Sequence, residues 1–382
     1  MNLVLGALPY FLTAFLISVL FTPIAKRIGF FLGIYAVENQ RTVHHGRIVR
    51  IGGLAIYIAF IITMAVYVKA DTTINAILIG SLILFIGGVI DDMFDLKPMI
   101  KLGFEVAAAL FVLAFGGIEL GTIHLPFLSI DSKAFSYFVS FCWIIGVSNA
   151  INLMDGLDGL AAGISFIMIS VIGLIGFFMG RRDICVISLI LIGAIGGFLP
   201  YNFHPASIFM GDCAALFLGY IIACLALLGF KSTAFITLGF PIIILFVPLA
   251  DTVLAILRRK SQGKKITEAD RSHLHHVLMY KMGLSHRNTV LVLYFVTFLF
   301  ACDAVLMYFH EGWGLALLAV LFGLAWIFIE LTGMINPHFH PLIGLLRRTI
   351  GHPVKKEDAF FEANKLEYAR RPELPPREEN EN

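Results

Sequence analysis

Apolar residues fill this chain in long blocks, separated by short polar clusters rich in Asp, Asn, Arg, His and Gly. The core of a bilayer asks for about 20 consecutive apolar residues, with a range near 17–25. Blocks of that kind run at 3–21, 51–68, 75–90, 102–118, 135–152, 159–179, 184–200, 212–230, 235–257, 289–309 and 313–334. The pattern predicts an all-α polytopic membrane protein with about eleven transmembrane helices. Glycine and proline inside several blocks are compatible with this, because neighbouring helices can re-satisfy the backbone they disturb.

Composition agrees. Of 382 residues, 59% are hydrophobic and 14% charged, against roughly 25% charged in an ordinary soluble domain. No polar n-region with an A-x-A site accompanies the first block, which is therefore expected to be retained and not cleaved as a signal peptide. The five cysteines (Cys142, Cys185, Cys213, Cys224, Cys302) form no C-x-x-C pair, so they read as packing residues and not as a zinc or disulfide framework. Residues 1–335 are expected to form one transmembrane domain carrying the chemistry. The polar stretch 336–382, ending "RRPELPPREENEN", reads as a largely disordered tail with at most a short amphipathic piece at 358–368.

An odd number of spans puts the termini on opposite sides. Loops on the C-terminal side carry 15 Lys/Arg, including Lys26, Arg27, Arg41, Arg47 and Arg50 after the first block and eight more between Arg258 and Arg287. The opposite loops carry 5: Lys69, Lys133, Arg181, Arg182 and Lys231. The positive-inside rule then makes the C-terminal side cytoplasmic and the N-terminus external. The cytoplasmic side also collects Asp91, Asp92, Asp95, Asp155, Asp158, Asp212, Asp251 and Asp270, with Asn149, Asn152, His44, His45, His273, His275 and His276. Polar groups from five loops thus converge on one membrane face.

Four stretches carry candidate chemistry. In "GGVIDDMFDLKP", continuation of the third helix would put Asp91 and Asp95 on one face with Asp92 beside them. Acids this close raise one another's pKa unless a cation sits among them, and a hard divalent ion suits oxygen donors. In "NAINLMDGLDGLAAG", Asn149, Asn152, Asp155 and Asp158 alternate with glycines in a tight turn that lets backbone approach a ligand. In "YNFHPASIFMGDCAALFLG", Asp212 opens the eighth helix, where its charge also suits the helix dipole, and Phe209 could stack on a planar base. In "RRKSQGKKITEADRSHLHHVL", Arg271, His273, His275 and His276 suit a phosphate or sugar better than a transition metal, since no H-E-x-x-H or Cys partner accompanies them. The loop "RTVHHGRIVRIGG" adds Arg47 and Arg50 beside a glycine pair, again suited to phosphate. No P-loop G-x-x-x-x-G-K-[ST] occurs, which removes ATP-driven chemistry of that type.

Taken in order, "HHGRIVRIGG", "DDMFD", "NLMDGLDGLA", "IFMGDCAALFLG", "PLADT" and "DRSHLHH" resemble the polyprenyl-phosphate N-acetylhexosamine-1-phosphate transferases. These membrane enzymes start lipid-linked glycan synthesis. The "HLHH" form is similar to the bacterial branch that uses N-acetylglucosamine (GlcNAc) for teichoic acid, O-antigen and related glycans. One departure is Val49 before Arg50, where the family commonly has proline.

The resemblance implies that UDP-GlcNAc and undecaprenyl phosphate give undecaprenyl-pyrophosphoryl-GlcNAc and UMP, with Mg²⁺ and with Mn²⁺ as an admissible substitute. It implies a catalytic set of Asp91, Asp92 and Asp212. Asp212 and Asp92 would hold the metal, and Asp91 would assist deprotonation of the lipid phosphate. Asn149, Asn152, Asp155 and Asp158 would line the nucleotide pocket, and Phe209 would stack on uracil. Arg47, Arg50, Asp95, Arg271, His273, His275 and His276 would contact phosphates or sugar. A bacterial inner-membrane location with a cytoplasmic site follows, with the bilayer as partner, a homodimer allowed and no nucleic acid.

UDP-MurNAc-pentapeptide or another UDP-N-acetylhexosamine is the alternative donor. A secondary transporter built on Glu105, Asp303 and Glu330 is the distant alternative, disfavoured because the polar clusters sit at one face and not at the midplane. The CDP-alcohol phosphotransferase signature begins like "DGLDGLAAG", but its arginine and later aspartates are missing here.

Overall fold

The computed structural model describes residues 2–36, 47–121, 123–125, 128–130, 132–230, 239–261, 263 and 273–335. His44, His45, Asp270, Arg271 and the tail 336–382 lie outside the described residues.

The protein is a helical membrane protein, as its periodicity predicts. Its long helices are α1 (Asn2–Leu32), α3 (Thr72–Phe94), α4 (Pro98–Gly116), α5 (Lys133–Met154), α6 (Leu160–Phe178), α7 (Arg182–Asn202), α8 (Asp212–Phe230), α12 (His286–Phe309) and α13 (Glu311–Thr332). Among the described residues, these nine are long and apolar enough to cross a membrane. The expected span at 51–68 is the shorter helix α2, Gly53–Tyr67. The expected span at 235–257 is broken at Leu245 into α9 (Gly239–Ile244) and α10 (Phe246–Ser261). Pro248 explains the break: it has no N–H to offer the Ile244 carbonyl, and its ring crowds that carbonyl. Among the described residues, strands are confined to two small antiparallel pairs, β1 (Tyr35–Ala36) with β2 (Ile48–Val49) and β3 (Ile123–Leu125) with β4 (Leu128–Ile130).

Helix ends follow local chemistry. Asp71 caps α3 by accepting from the Ile74 N–H at 2.8 Å, and Ser132 and Ser285 cap α5 and α12 in the same way. Pro98 opens α4 at a position where its missing N–H costs nothing. Asp95 ends α3 in the left-handed conformation, φ 46° and ψ 69°, which aspartate tolerates better than most residues. Its N–H still bonds the Asp91 carbonyl at 2.9 Å, but the helix stops there, so Asp95 leaves the face that a continued helix would give it.

The chain divides into two compact units. The first comprises Met1–Val253 and Leu284–Val320. Its centre is α8, 89% buried along the span against 17% for α1. Small residues let helices approach α8 closely: a Cβ added to Gly88 of α3 would stand 2.4 Å from the Cys213 Cα, and one on Gly53 of α2 would stand 2.5 Å from the Ala214 Cβ. The second unit comprises Leu254–Gly283 and Leu321–Asn382. Its described part packs Leu254, Val277 and Met334 together, with the three-residue helix α11 (Leu274–His276) running into a π-helical turn at Val277–Lys281.

Candidate active site

In the first unit, the last turn of α3 meets the first turns of α4 and α8. Asp92 on α3 is closed off, its side chain 0% exposed. Its Oδ1 accepts from the Asp212 N–H at 3.0 Å and its Oδ2 from the Cys213 N–H at 3.1 Å. The first N–H groups of a helix have no partner within it, so Asp92 caps α8 from another helix. An N-terminal cap is worth about 0.5–2 kcal/mol. The expected metal pair of Asp92 and Asp212 therefore has one member with both oxygens already taken by backbone donors.

Asp91, one residue earlier, faces differently. Its Oδ1 accepts from the Leu96 N–H at 2.8 Å, and its Oδ2 lies 2.7 Å from the Lys101 ammonium. The same Nζ lies 2.7 Å from Asp212 Oδ2, so one lysine on α4 joins carboxylates from α3 and α8. Asp212 keeps 21% side-chain exposure, which leaves it open to a ligand. Lys101 escaped the sequence reading because it counted only as topological charge, although a lysine one turn inside an apolar helix was the available signal.

The loop before α8 is pinned by main-chain bonds. Phe209 N–H donates to the Val49 carbonyl at 2.8 Å, and Gly52 N–H donates to the Phe209 carbonyl at 2.9 Å. Gly211 at φ +80° turns the chain into α8, and a Cβ there would lie 1.8 Å from the Arg50 carbonyl oxygen. Only glycine fits that approach. This brings Arg50 to the rim, its Nε 4.0 Å from Asp92 and its Nη1 3.3 Å from Asp95. Arg50 is held above its ordinary pKa: burial opposes its charge, but Asp92, Asp212 and Asp95 together outweigh that. The Asp95 side chain is 87% exposed. Phe209 is half-buried, and Arg47 is exposed with its guanidinium 5.2 Å from the Tyr35 ring centroid.

The α5–α6 junction carries a further polar cluster. Asn149 donates from Nδ2 to the Glu105 carboxyl on α4 and to the Ile145 carbonyl, the latter at 3.0 Å. Asn152 Oδ1 is buried without a hydrogen-bond partner. Asp158 forms a clasp: its Oδ2 lies 2.7 Å from His204 Nδ1 and accepts from the Ala206 N–H at 3.1 Å, while its own N–H donates to His286 Nε2 at 3.0 Å. The two imidazoles stack at 4.1 Å. The potential ligand atoms of Asp158, His204 and His286 lie within 4.8 Å of one another. They are nonetheless engaged in these mutual bonds, so the cluster reads as a clasp holding α12 and the α7–α8 loop to the junction. Below it, the Tyr294 hydroxyl donates to the Gly159 carbonyl. His204 stood inside a motif singled out from sequence, but its partner His286 is 128 residues from Asp158 in the chain.

His273, His275 and His276 belong to the second unit. His273 is the residue before α11, 7% exposed, and His275 is 2% exposed. The His275 and His276 rings lie 4.2 Å apart, and His276 stacks on Tyr280. Of the three acids expected within the membrane, Glu105 holds Asn149, Glu330 accepts from the Trp326 indole N–H, and Asp303 is buried with neither oxygen bonded.

Burial, with the charges of Asp212 and Asp92 added to it, pushes the Asp155 carboxyl up to about 8, against the pull of the Gly211 N–H and Arg50. Unfolded, such a group titrates near 4. The folded protein therefore holds this proton more tightly. The stability it contributes is full below about pH 4 and is lost as pH rises to about 8. Asp155→Asn has no such titration. Its melting temperature relative to the parent, measured in chelator, is expected to climb by a few degrees between about pH 5 and 8 and then level off. A difference independent of pH would place the Asp155 carboxyl in the ordinary range.

Comparisons with known proteins bear on this arrangement. The family model of glycosyl transferase family 4 matches residues 74–230. A probable undecaprenyl-phosphate N-acetylglucosaminyl 1-phosphate transferase of Bacillus subtilis is 38% identical over 345 residues, covering 89% of this chain and 96% of the relative. A decaprenyl-phosphate N-acetylglucosaminephosphotransferase of Mycobacterium tuberculosis is 31% identical over 318 residues, covering 74% and 78%. The undecaprenyl-phosphate alpha-N-acetylglucosaminyl 1-phosphate transferase of Escherichia coli K12 is 27% identical over 322 residues, covering 81% and 87%.

Proposed function

Because the chain belongs to the polyprenyl-phosphate N-acetylhexosamine-1-phosphate transferases of glycosyl transferase family 4, we propose that it transfers GlcNAc-1-phosphate from UDP-GlcNAc to undecaprenyl phosphate and releases UMP, at the cytoplasmic face of a bacterial inner membrane. The observation that carries this reading is the array Asp91–Lys101–Asp212 at the ends of three apolar helices. It offers both signs of charge where a lipid phosphate and a nucleotide pyrophosphate would meet.

Phosphoryl transfer asks for positioning and charge neutralisation more than for covalent chemistry. An oxygen of the lipid phosphate attacks the phosphorus that bears the sugar. The bond from that phosphorus to the bridging oxygen breaks, and UMP leaves. A phosphate monoester with a second pKa near 6 is mostly dianionic at neutral pH, so Asp91 acts less as a base than by holding the Lys101 ammonium that meets the acceptor. Lys101 then holds phosphate oxygen between Asp91 and Asp212, and Arg50 guards the rim. Asp212, partly exposed and with only Oδ2 on Lys101, is the oxygen donor that best fits Mg²⁺. When bound, Mg²⁺ supplies neutralisation of pyrophosphate charge.

The acceptor's hydrocarbon chain needs an apolar path. A cavity of about 300 Å³ between α4 and α5 is lined by Leu110, Leu113, Ala114, Tyr137, Phe138 and Phe141. Leu110 lies nine residues beyond Lys101 on α4, about 14 Å along the helix. This supports a lipid phosphate at Lys101 with its chain running toward that groove.

The test is UMP release by the purified protein across UDP-GlcNAc, UDP-GalNAc and UDP-MurNAc-pentapeptide. Release is expected only with undecaprenyl phosphate and Mg²⁺ present, and fastest with UDP-GlcNAc. No Mg²⁺-dependent release would sink the reading, and a faster second sugar would replace the donor. Lys101→Met and Asp91→Asn are each expected to fall below about a tenth of parental turnover, since a charge-assisted hydrogen bond is worth about 1.5–3 kcal/mol. Turnover near the parental value in either variant would remove that residue from the reacting centre.

A further inference from the structure

Lys101 and Glu105 are four residues apart on α4 and so share a helical face. Lys101 reaches Asp91 and Asp212, and Glu105, 2% exposed, reaches Asn149 on α5. Asn149 also bonds the Ile145 carbonyl at 3.0 Å. The direction of an asparagine amide is set by its neighbours' chemistry. A backbone carbonyl can only accept, and so does the Glu105 carboxyl oxygen that Asn149 meets. Both contacts therefore demand the NH₂ end, and the half-buried side chain keeps only Oδ1 for a ligand.

From this we infer that Glu105 is a positioning residue: it locks the Asn149 amide so that Oδ1 faces the site as an acceptor, for an N–H or O–H donor of the nucleotide sugar. The inference rests on the transferase reading above and adds a residue and a polarity to it. A buried acid inside a membrane helix would otherwise be costly. At Glu105 the cost is offset by a bond that a neutral apolar residue could not make. Asn149 lies one turn from Asn152 and six residues from Asp155, so a fixed acceptor there adds to a wall that is otherwise acidic or amide in character.

Glu105→Gln keeps size but can present its own NH₂ to Asn149, which leaves the Ile145 carbonyl alone to hold the amide's direction and weakens the lock. The KM for UDP-GlcNAc is expected to rise roughly fivefold, the size of one lost neutral hydrogen bond. Turnover at saturation and the KM for undecaprenyl phosphate should stay within about twofold, as uniform loss of ground-state and transition-state binding requires. In an Asn149→Ala background the Glu105→Gln change should have no further effect on that KM, because the two act as one unit. An unchanged KM in Glu105→Gln, or independent effects that multiply in the double variant, would overturn the inference. Glu105→Gln is nearly isosteric, and its melting temperature separates misfolding from misorientation. A fall in turnover and in both KM-derived specificities together with a lowered melting temperature would mean a structural role and overturn it too. Parental UMP release measured in the same assay isolates this outcome from failure of the transferase reading itself.

Discussion

One buried carboxylate organises the site. Asp92 sits at the end of α3 with no access to solvent and binds the first two N–H groups of α8. Two buried donors and a buried acid would each be costly alone in a water-poor environment. Together they satisfy one another and fix where α8 begins. Asp212 is the first residue of that helix, so the cap on its own N–H also aims its side chain toward Lys101 and Asp91. Adjacent aspartates on α3 thus divide the labour, Asp92 capping α8 and Asp91 holding the Lys101 ammonium.

That frame depends on close backbone approach. Gly88 and Gly53 let α3 and α2 touch the start of α8, and Gly211 makes the turn that brings the Arg50 main chain against it. The same economy of space places α4, whose Lys101 and Glu105 reach α3, α8 and α5 from one face. Charges clustered at the ends of apolar helices can be held there because Asp91, Asp92, Asp212, Lys101 and Arg50 each meet an opposite charge or a backbone donor. An anionic lipid headgroup joined to an apolar chain suits this boundary.

Much of this was legible in the sequence, because apolar blocks of bilayer length and polar clusters between them are strong signals. Asp91 and Asp92, Asp212, and Asn149 come from three stretches, and the structure links the aspartates through Lys101 and the Asp92 cap and ties Asn149 to Glu105 on the same helix as Lys101. What the sequence withheld is geometric. The turn at Asp95 is a left-handed cap that no periodicity reveals, and it sends that side chain out to solvent. The break at Leu245 follows from Pro248, which a hydropathy block hides. Lys101 and Glu105 look like stray charges until α3, α5 and α8 are placed around α4. The clasp from Asp158 to His286 joins segments too far apart in the chain for any local pattern to pair. The histidines of "HLHH" fold within the second unit, beside Val277 and Tyr280.

The division between Asp92 and its neighbours is best tested by amide hydrogen exchange across 208–217, comparing the parent with Asp92→Asn and Asp212→Asn. Asparagine at 92 turns one acceptor into a donor that faces an N–H, so exchange at the start of α8 should quicken by about tenfold, as loss of a cap worth about 1.4 kcal/mol implies. Asp212→Asn, which leaves the cap intact, should exchange at the parental rate. Equal protection in the parent and in Asp92→Asn would contradict the account, because α8 would then start where it does without the carboxylate assigned to hold it.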